Sequence, residues 1–454
     1  MKIVVAGAGA GKTTKMAELV RERHKKIDSH KNIYVITYTN SAKESIKDKL
    51  IEINGNIPQR VFVETIHSFL LNELIYPFHH LLYEEIYTSA SQMKLPDKPA
   101  FKNIRFKELR EAGIIHVDKV TEASKWIVSG KSNDRKKIKL ERQKVLSFMK
   151  NYMDSIFIDE AQDMDDNLKT VIEKLSSLGV FFQLVGDPKQ DLRGYGVFAE
   201  MIEKYPEKVT YKEINYRSPQ KHLDLSNLYV AENQTQRADS SVDGELSYVF
   251  QKDIDTREYL DLNEFDYIYI RAKNKVFSTN KLQENILKEN LLYELERIFK
   301  TKSDNREKVK LWSFQVKKVM IDNLDSRSNH QMLIMLEKIV KRKLSPQERA
   351  RLHECFDKMK EQGELGDNIL VSSIDRVKGL EGDNCLFILT TDLAPYFFKE
   401  NQEDNKMKNY LYVALTRSKN KLVILTTTEV EEKYGRQDLV KRFKAMNITH
   451  LKSE

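Results

Sequence analysis

The sequence predicts an α/β fold with two parallel sheets, each interrupted by a helical insertion. Short apolar runs rich in Val, Ile, Phe and Tyr alternate with helical stretches, which is typical of parallel strands joined by crossover helices. These runs form one group in residues 1–240 and a second group in residues 241–454. A length of 454 residues with a hydrophobic content of 40% is sufficient for two or three folded domains.

The predicted strands are apolar segments bounded by polar residues. They lie at residues 3–5, 33–36, 61–63, 156–158, 181–185, 369–371, 386–389 and 422–425. The polar stretch 233–244 separates the two groups, and we expect it to be a linker.

Both groups contain a basic helical segment, at residues 70–150 and 280–365. Either segment is a solvated helix face or a nucleic-acid surface, and the charge run alone favours neither. The first sheet domain is therefore expected to comprise residues 1–69 and 151–240, and the second residues 241–279 and 366–454. Within the second insertion, the sequence Ser345-Pro346-Gln347-Glu348 predicts a helix that begins at the proline and is closed by a capping box.

Composition limits the class of protein. Lys and Arg outnumber Asp and Glu by 76 to 68, a formal charge of +8 that permits a polyanionic partner without requiring one. Cys355 and Cys385 have no paired spacing, so neither a disulfide framework nor a zinc site is indicated, and a reducing, cytoplasmic setting is expected. No run approaches the roughly 20 apolar residues of a membrane span, so we expect no membrane association.

A glycine-rich segment after the first strand predicts a phosphate-binding loop. The sequence Ala6-Gly7-Ala8-Gly9-Ala10-Gly11-Lys12-Thr13-Thr14 follows a strand and opens a helix. The glycines allow backbone N–H groups to turn toward phosphates, Lys12 would reach the β and γ phosphates, and Thr13 would offer its hydroxyl to Mg²⁺. The alternative is a glycine-rich turn without a ligand.

A pair of acidic residues ends the apolar strand at 156–158. Asp159 is predicted to hold Mg²⁺, and Glu160 to orient or deprotonate the attacking water. An Asp-Glu pair after a strand is more often an exposed turn, so the catalytic interpretation depends on Lys12 and Thr13.

With these motifs the chain resembles the UvrD and Rep branch of superfamily-one helicases, in a compact form similar to the helicase-like subunit of Gabija antiphage systems. The resemblance covers both halves of the chain, and the motifs occur in the family's order. Beyond AGAGAGKTT and DEAQD they are TYTNSA (37–42), TIHSF (65–69), VGDPKQ (185–190), NYRS (215–218), KGLE (378–381) and YVALTRS (412–418). The family implies two RecA-like domains that bind ATP and Mg²⁺ between them.

The resemblance also implies a role for individual residues. Gln190 would sense the γ phosphate, Arg217 and Arg417 would approach it from opposite halves of the chain, and Glu381 would bind the ribose. A nucleic-acid track is implied at Tyr38, Thr39, Asn40, His67, Ser68, Tyr195, Ser373 and Asp375. Each track residue has a structural alternative, since tyrosines and a lone histidine are often core residues.

The sequence departs from the family at four points. Only five residues precede Ala6, so the upstream glutamine segment that reads adenine is missing. Tyr195 keeps the stacking aromatic that is a tryptophan in the family, but the arginine after it is Gly196, and Asp375 replaces a common histidine. The second insertion is also much shorter than that of full-length members, so translocation is a safer prediction than processive unwinding.

The predicted function is an ATP-dependent single-stranded DNA translocase or helicase that moves 3′ to 5′, a polarity carried over from the family. One alternative is a DNA-sensing ATPase subunit that acts with a partner nuclease in phage defence. A catalytically inactive scaffold is disfavoured, because all the residues expected for ATP hydrolysis are present.

Overall fold

A computed structural model describes residues 1–28, 30–96, 98–239, 243–279, 281–303, 305–324, 326–363 and 368–451. The chain forms two compact units. The first comprises Met1–Ser91, Phe106–Arg271 and Ser372–Glu454, and the second comprises Gln92–Arg105 and Ala272–Val371. Within the described ranges, no helix is both long enough and apolar enough to cross a membrane.

The strands are short, and most are buried. In chain order they are β1 (Lys2–Ala6), β2 (Asn32–Thr37), β3 (Val61–Thr65), β4 (Ser89–Ser91), β5 (Ile114–His116), β6 (Met153–Ile158), β7 (Phe181–Gly186), β8 (Val209–Lys212), β9 (Ile214–Asn215), β10 (Arg237–Ala238), β11 (Glu245–Phe250), β12 (Tyr267–Ile270), β13 (Phe277–Ser278), β14 (Ile369–Leu370), β15 (Ser372–Ser373), β16 (Gly382–Leu389), β17 (Ser418–Thr426) and β18 (Thr449–His450).

The α-helices alternate with these strands. They are α1 (Lys12–His24), α2 (Asn40–Asn54), α3 (Ile66–Leu70), α4 (Tyr76–Tyr83), α5 (Pro99–Glu111), α6 (Val120–Ser129), α7 (Lys136–Tyr152), α8 (Asp166–Ser177), α9 (Val197–Lys204), α10 (Gln220–Asn227), α11 (Thr256–Leu262), α12 (Lys281–Lys300), α13 (Arg306–Asp322), α14 (Asn329–Val340), α15 (Pro346–Gly363), α16 (Ile374–Val377), α17 (Ala394–Phe397), α18 (Lys406–Leu415), α19 (Thr428–Tyr434) and α20 (Arg436–Ala445).

The first unit contains two six-stranded parallel sheets, which confirms the predicted fold class. The first sheet has the order β3-β2-β6-β7-β1-β8. Its apolar strands are buried on both faces by helices, as parallel sheets require. Because every strand is parallel, the carboxyl ends of β1, β6 and β7 lie at the same edge. Ligands of open α/β sheets bind at this edge.

The second sheet has the order β15-β12-β16-β17-β11-β18. The predicted strands at 386–389 and 422–425 lie in β16 and β17. The expectation for residues 369–371 was wrong in its placement, because β14 pairs with β13 in a separate two-stranded sheet of the second unit. The edge of the six-stranded sheet is instead formed by the polar strand β15, which pairs with β12.

The stretch 233–244 is not a simple linker. Within it, Gln236 is buried and β10 pairs with β9. A polar composition predicted exposure here, but the Gln236 side chain is satisfied internally, since its Nε2 donates to the Ala8 carbonyl oxygen at 3.2 Å.

The second unit has a helical core of its own. The buried side chains from α12 to α15 include Leu295, Met320, Leu336 and Phe356. The predicted capping box is confirmed, since the Glu348 N–H donates to Ser345 Oγ at 3.2 Å and the Ser345 N–H donates to Glu348 Oε2 at 2.8 Å.

Candidate nucleotide-binding site

The glycine-rich loop connects β1 to the start of α1. Gly9 and Gly11 have φ values of +74° and +68°, a conformation that side chains with a Cβ rarely adopt. A Cβ on Gly9 would also lie 2.5 Å from Asn215 Oδ1, so the loop needs glycine there for space as well. The backbone N–H groups at the start of α1 provide the positive end that phosphates bind.

Lys12 is the first residue of α1, and its side chain lies against the loop. Its Nζ donates to the carbonyl oxygens of Ala6 at 3.3 Å and Gly7 at 3.2 Å. Thr13 and Thr14 follow it and line the same cavity. The sequence therefore brings an ammonium group and two hydroxyls to one anion-binding loop.

Asp159 and Glu160 follow β6 at the edge next to this loop. Asp159 is 4% exposed, and its Oδ1 accepts a hydrogen bond from the Glu160 N–H at 3.0 Å. Burial and the Glu160 carboxylate raise the pKa of Asp159, while Lys12 opposes the rise. Burial also disfavours the charge on Glu160, but Lys12 and Lys378 outweigh it and hold the pKa of Glu160 below its usual value.

Gln190 comes from the loop after β7. It is 2% exposed, and its Nε2 donates to Asp187 Oδ2 at 3.0 Å. Its amide therefore has a fixed orientation at the cavity wall, which Gln190 also lines.

The two predicted arginines line one cavity although they come from distant segments of the chain. Arg217 follows β9, and Arg417 follows α18 and precedes β17. Arg417 is buried and donates to the carbonyl oxygens of Val413 at 3.0 Å and Leu380 at 3.2 Å. Burial and the nearby positive charge of Arg217 lower the pKa of Arg417 to about 10, so it remains charged at neutral pH.

Glu381 lines the cavity and contacts cations on both sides. Its carboxylate forms ion pairs with Arg217 at 2.5 Å and with Lys419 at 2.9 Å. Burial opposes its charge, but Arg217 and Lys419 hold the pKa of Glu381 below its usual value. The ribose-binding role of Glu381 stays a prediction.

The residues expected to act on ATP surround one cavity of about 1140 Å³. Ligand pockets are commonly about 300–1,000 Å³, so a nucleoside triphosphate can enter. Its lining from the predicted set is Gly9, Gly11, Lys12, Thr13, Thr14, Asp159, Glu160, Gln190, Arg217, Glu381 and Arg417. Gly7 lies in the same loop but behind its surface, where a Cβ would meet Gln236.

The predicted nucleic-acid residues are not all at this cavity. Tyr38, Thr39 and Asp375 line it. The Asp375 carboxylate accepts a hydrogen bond from Tyr410 at 2.9 Å, which limits its repulsion of a phosphate. The other predicted track residues, Asn40, His67, Ser68, Tyr195 and Ser373, lie outside the cavity lining.

Local contacts give some of these track residues a structural role. Ser68 Oγ lies 2.9 Å from Thr65 Oγ1 at the start of α3. Ser373 lies at the N-cap position of α16, but its side chain makes no capping hydrogen bond there. Burial and Arg193 lower the pKa of His67, so its neutral form is favoured. Tyr195 is 45% exposed, which leaves its ring accessible to a base.

Two matches with family models cover most of the chain. Residues 1–195 match the AAA domain, and residues 271–429 match the UvrD-like helicase C-terminal domain. These matches confirm the predicted resemblance of the chain to UvrD-like helicases. This resemblance implies the use of ATP, in agreement with the cavity.

The chain is similar along its length to Gabija protein GajB of Bacillus cereus. The two are 25% identical over 98% of this chain and 97% of GajB. A probable DNA helicase II homolog of Mycoplasma capricolum is 24% identical over 51% of this chain and 39% of its own length. The ATP-dependent DNA helicase PcrA of Staphylococcus aureus is 23% identical over 51% of this chain and 38% of its own length. The matched part is thus about two-fifths of those two helicases.

Two features of the site were not predicted from the sequence. The Arg193 guanidinium lies 6.0 Å from the ring centres of both Tyr38 and Tyr195, so it supplies a cation beside the predicted track. Lys378 Nζ donates to the Asp163 carboxylate at 2.6 Å and joins the KGLE and DEAQD segments of the two sheets. The sequence contained a signal for the Arg193 contact, because Arg193 lies two residues before Tyr195.

The side chains at the cavity suit Mg²⁺. The ion prefers oxygen ligands and is commonly held by one or two carboxylates together with substrate phosphates. Asp159 and Thr13 offer a carboxylate and a hydroxyl beside the phosphate loop, so these residues would hold it. When bound, Mg²⁺ neutralises charge on the phosphate oxygens.

We expect binding of a preformed Mg²⁺ complex of a non-hydrolysable ATP analogue to release protons from the protein. The raised pKa of Asp159 favours its protonated form, and a metal ligand must be deprotonated. Calorimetry at pH 7 in buffers of different ionisation enthalpy measures the number released. Asp159→Asn should release fewer protons than the wild type, and equal numbers would contradict the assignment.

Proposed function

We propose that the chain is an ATP-dependent single-stranded DNA translocase or helicase that moves 3′ to 5′. ATP hydrolysis is coupled to opening and closing of the cleft between the two sheets. DNA binds at the carboxyl edge of the first sheet.

The single observation that carries this proposal is the composition of the cavity. Lys12, Asp159 and Glu160 come from the first sheet, whereas Arg417 is fixed to elements of the second. Because both sheets supply residues to this site, bound nucleotide favours a short distance between the sheets. Release of the nucleotide favours a larger distance between them. A motor needs such a link between chemistry and movement.

Two ion pairs across the cleft support this coupling of ATP hydrolysis to movement of the sheets. Arg217 and Glu381 form one ion pair across the cleft, and Asp163 and Lys378 form a second. Asp163 follows β6 of the first sheet and Arg217 follows β9 of the small β9–β10 sheet, whereas both of their partners lie between β15 and β16 of the second sheet. A phosphate that attracts Arg217 competes with Glu381, and this competition makes closure sensitive to the nucleotide.

A second candidate is favoured by the match to GajB over 98% of this chain. In that case the protein is a DNA-sensing ATPase subunit that acts with a partner nuclease in phage defence. ATP turnover would then gate the partner instead of driving long-range movement.

A translocation assay distinguishes these two functions. A translocase should displace streptavidin from the 5′ end of biotinylated single-stranded DNA, but not from the 3′ end, and its ATPase rate should rise with strand length. A sensor should show strand-stimulated ATPase without displacement. The absence of ATP hydrolysis with and without DNA would contradict both.

A measurement of DNA affinity tests the DNA track through Tyr195→Ala. Stacking of one base on an aromatic ring is worth about 1–3 kcal/mol, so the affinity for oligo-dT should fall by roughly 5- to 150-fold. Phe62→Ala is a matched control, because Phe62 is 43% exposed and Tyr195 is 45% exposed. Equal affinities for the two variants in fluorescence anisotropy would remove Tyr195 from the track.

A further inference from the structure

Gln236 belongs to no recognised motif, yet it is buried directly behind the phosphate loop. It is 4% exposed and lies in the segment just before β10. Asn227 holds its backbone through two hydrogen bonds, one from the Gln236 N–H at 2.9 Å and one to the Gln236 carbonyl at 2.7 Å. The side chain therefore projects from a fixed backbone.

The Gln236 amide contacts the loop on one side. Its Nε2 donates to the Ala8 carbonyl oxygen at 3.2 Å. A Cβ on Gly7 would lie 2.5 Å from Gln236 Cδ, which means that the amide packs directly against the loop backbone. The missing Cβ at Gly7 therefore leaves space for the Gln236 amide as well as for the turn of the loop.

On its other side the amide contacts a helix of the second sheet. Gln236 Oε1 accepts hydrogen bonds from Asn215 Nδ2 and from the Tyr412 hydroxyl, each at 3.3 Å. Tyr412 is 2% exposed and lies on α18. The carbonyl of the next residue of α18, Val413, accepts the hydrogen bond from Arg417 Nε at 3.0 Å.

A second contact reinforces this connection. Lys189, from the VGDPKQ segment that carries Gln190, places its Nζ 4.7 Å from the Tyr412 ring centre. The same Nζ donates to the Gln234 carbonyl at 3.0 Å. The segment around Gln236 is thus tied to the phosphate loop, to the loop of Gln190 and to α18.

We propose that Gln236 is a positioning residue that couples the phosphate loop to α18 and through it to Arg417. The proposal rests on the proposed ATPase function. A neutral amide suits the position, since it donates to Ala8 and accepts from Tyr412 at the same time. An apolar residue would remove the donor to Ala8 and the acceptor for Tyr412, although the Ala8 carbonyl also accepts from Asn215 Nδ2 at 2.7 Å. A carboxylate could not donate to the Ala8 carbonyl.

A double-mutant cycle tests the coupling. Gln236→Met keeps the length of the side chain but removes its hydrogen bonds, and Tyr412→Phe removes the hydroxyl alone. Each variant should lower kcat for ATP by about tenfold with little change in KM, the effect of losing one hydrogen bond that acts in the transition state. The double variant should be no slower than the slower single variant, because both changes break the same connection.

Gln220→Ala is the matched control. In the wild type, Gln220 Oε1 accepts a hydrogen bond at 2.8 Å from the N–H of Ala238, which lies in the same segment as Gln236. Gln220 does not contact the phosphate loop. Gln220→Ala should lower the melting temperature without changing kcat. Multiplicative effects of Gln236→Met and Tyr412→Phe on kcat, or an unchanged kcat in either, would overturn the coupling. A wild-type protein without ATPase activity would instead contradict the proposed function.

Discussion

Replacing Arg417 with alanine is expected to lower the rate of ATP hydrolysis by about three to five orders of magnitude, the contribution of an arginine finger in phosphoryl transfer. Arg417 lines the cavity that contains Lys12 and Glu160. It keeps its positive charge at neutral pH, because its pKa is lowered only to about 10. The guanidinium can therefore neutralise the charge that develops on the transferred phosphate, and single-turnover kinetics with saturating ATP measure its loss.

Folding must be separated from catalysis in this experiment. Arg417 donates to backbone carbonyls and to Thr416 Oγ1, so alanine leaves buried acceptors without a donor. Arg417→Lys keeps the positive charge but loses the planar fork of donors, and it should be intermediate in rate. Binding of a fluorescent ATP analogue and the melting temperature show whether each variant is folded.

Arg142→Ala is the control for removing a buried arginine. Arg142 is also buried in the first unit, donates to the Ile127 carbonyl at 3.1 Å and forms an ion pair with Asp134. It lies outside the nucleotide cavity. The control should lower the melting temperature and leave the hydrolysis rate intact. Hydrolysis by a folded Arg417→Ala protein at the wild-type rate would remove Arg417 from the site.

The sequence predicted the parts of the site that are determined locally. Lys12 follows its loop directly, and Asp159 follows its strand directly. Parallel strands deliver their carboxyl ends to one edge, so the proximity of these two residues follows from the strand pattern alone. The strand pattern predicted five of the six strands of the first sheet but only β16 and β17 of the second.

Contacts between distant segments were not predictable in this way. Asp163 and Lys378 are 215 positions apart, and their ion pair depends on how the two sheets face each other. Similarly, the partners of Glu381 are fixed by tertiary packing and not by spacing. The strand at 369–371 was assigned to the wrong sheet because apolar composition predicts a strand but not its neighbour.

Glu160→Gln is expected to lower the rate of ATP hydrolysis by about 10²- to 10⁴-fold, the range for loss of a positioned acid or base. Gln162 Nε2 donates to Glu160 Oε2, and a glutamine oxygen can still accept this bond, so the shape of the site should survive. Binding of an ATP analogue should therefore be retained. Glu73→Gln is the control, because Glu73 accepts a hydrogen bond from Tyr34 at 2.8 Å away from the cavity.

The charge of Glu160 also indicates how it acts. Lys12 and Lys378 hold its pKa below the usual value despite burial, so its carboxylate is ionised throughout the range from pH 6 to pH 8. A base with a low pKa accepts a proton weakly, because proton transfer is most effective when the pKa lies near the working pH. Glu160 should therefore orient the attacking water more than deprotonate it.

The pH dependence of hydrolysis tests this role. The single-turnover rate of the wild type should not fall between pH 8 and pH 6 through protonation of Glu160. A tenfold fall over that range that Glu160→Gln abolishes would instead assign Glu160 as a general base with a pKa near neutrality.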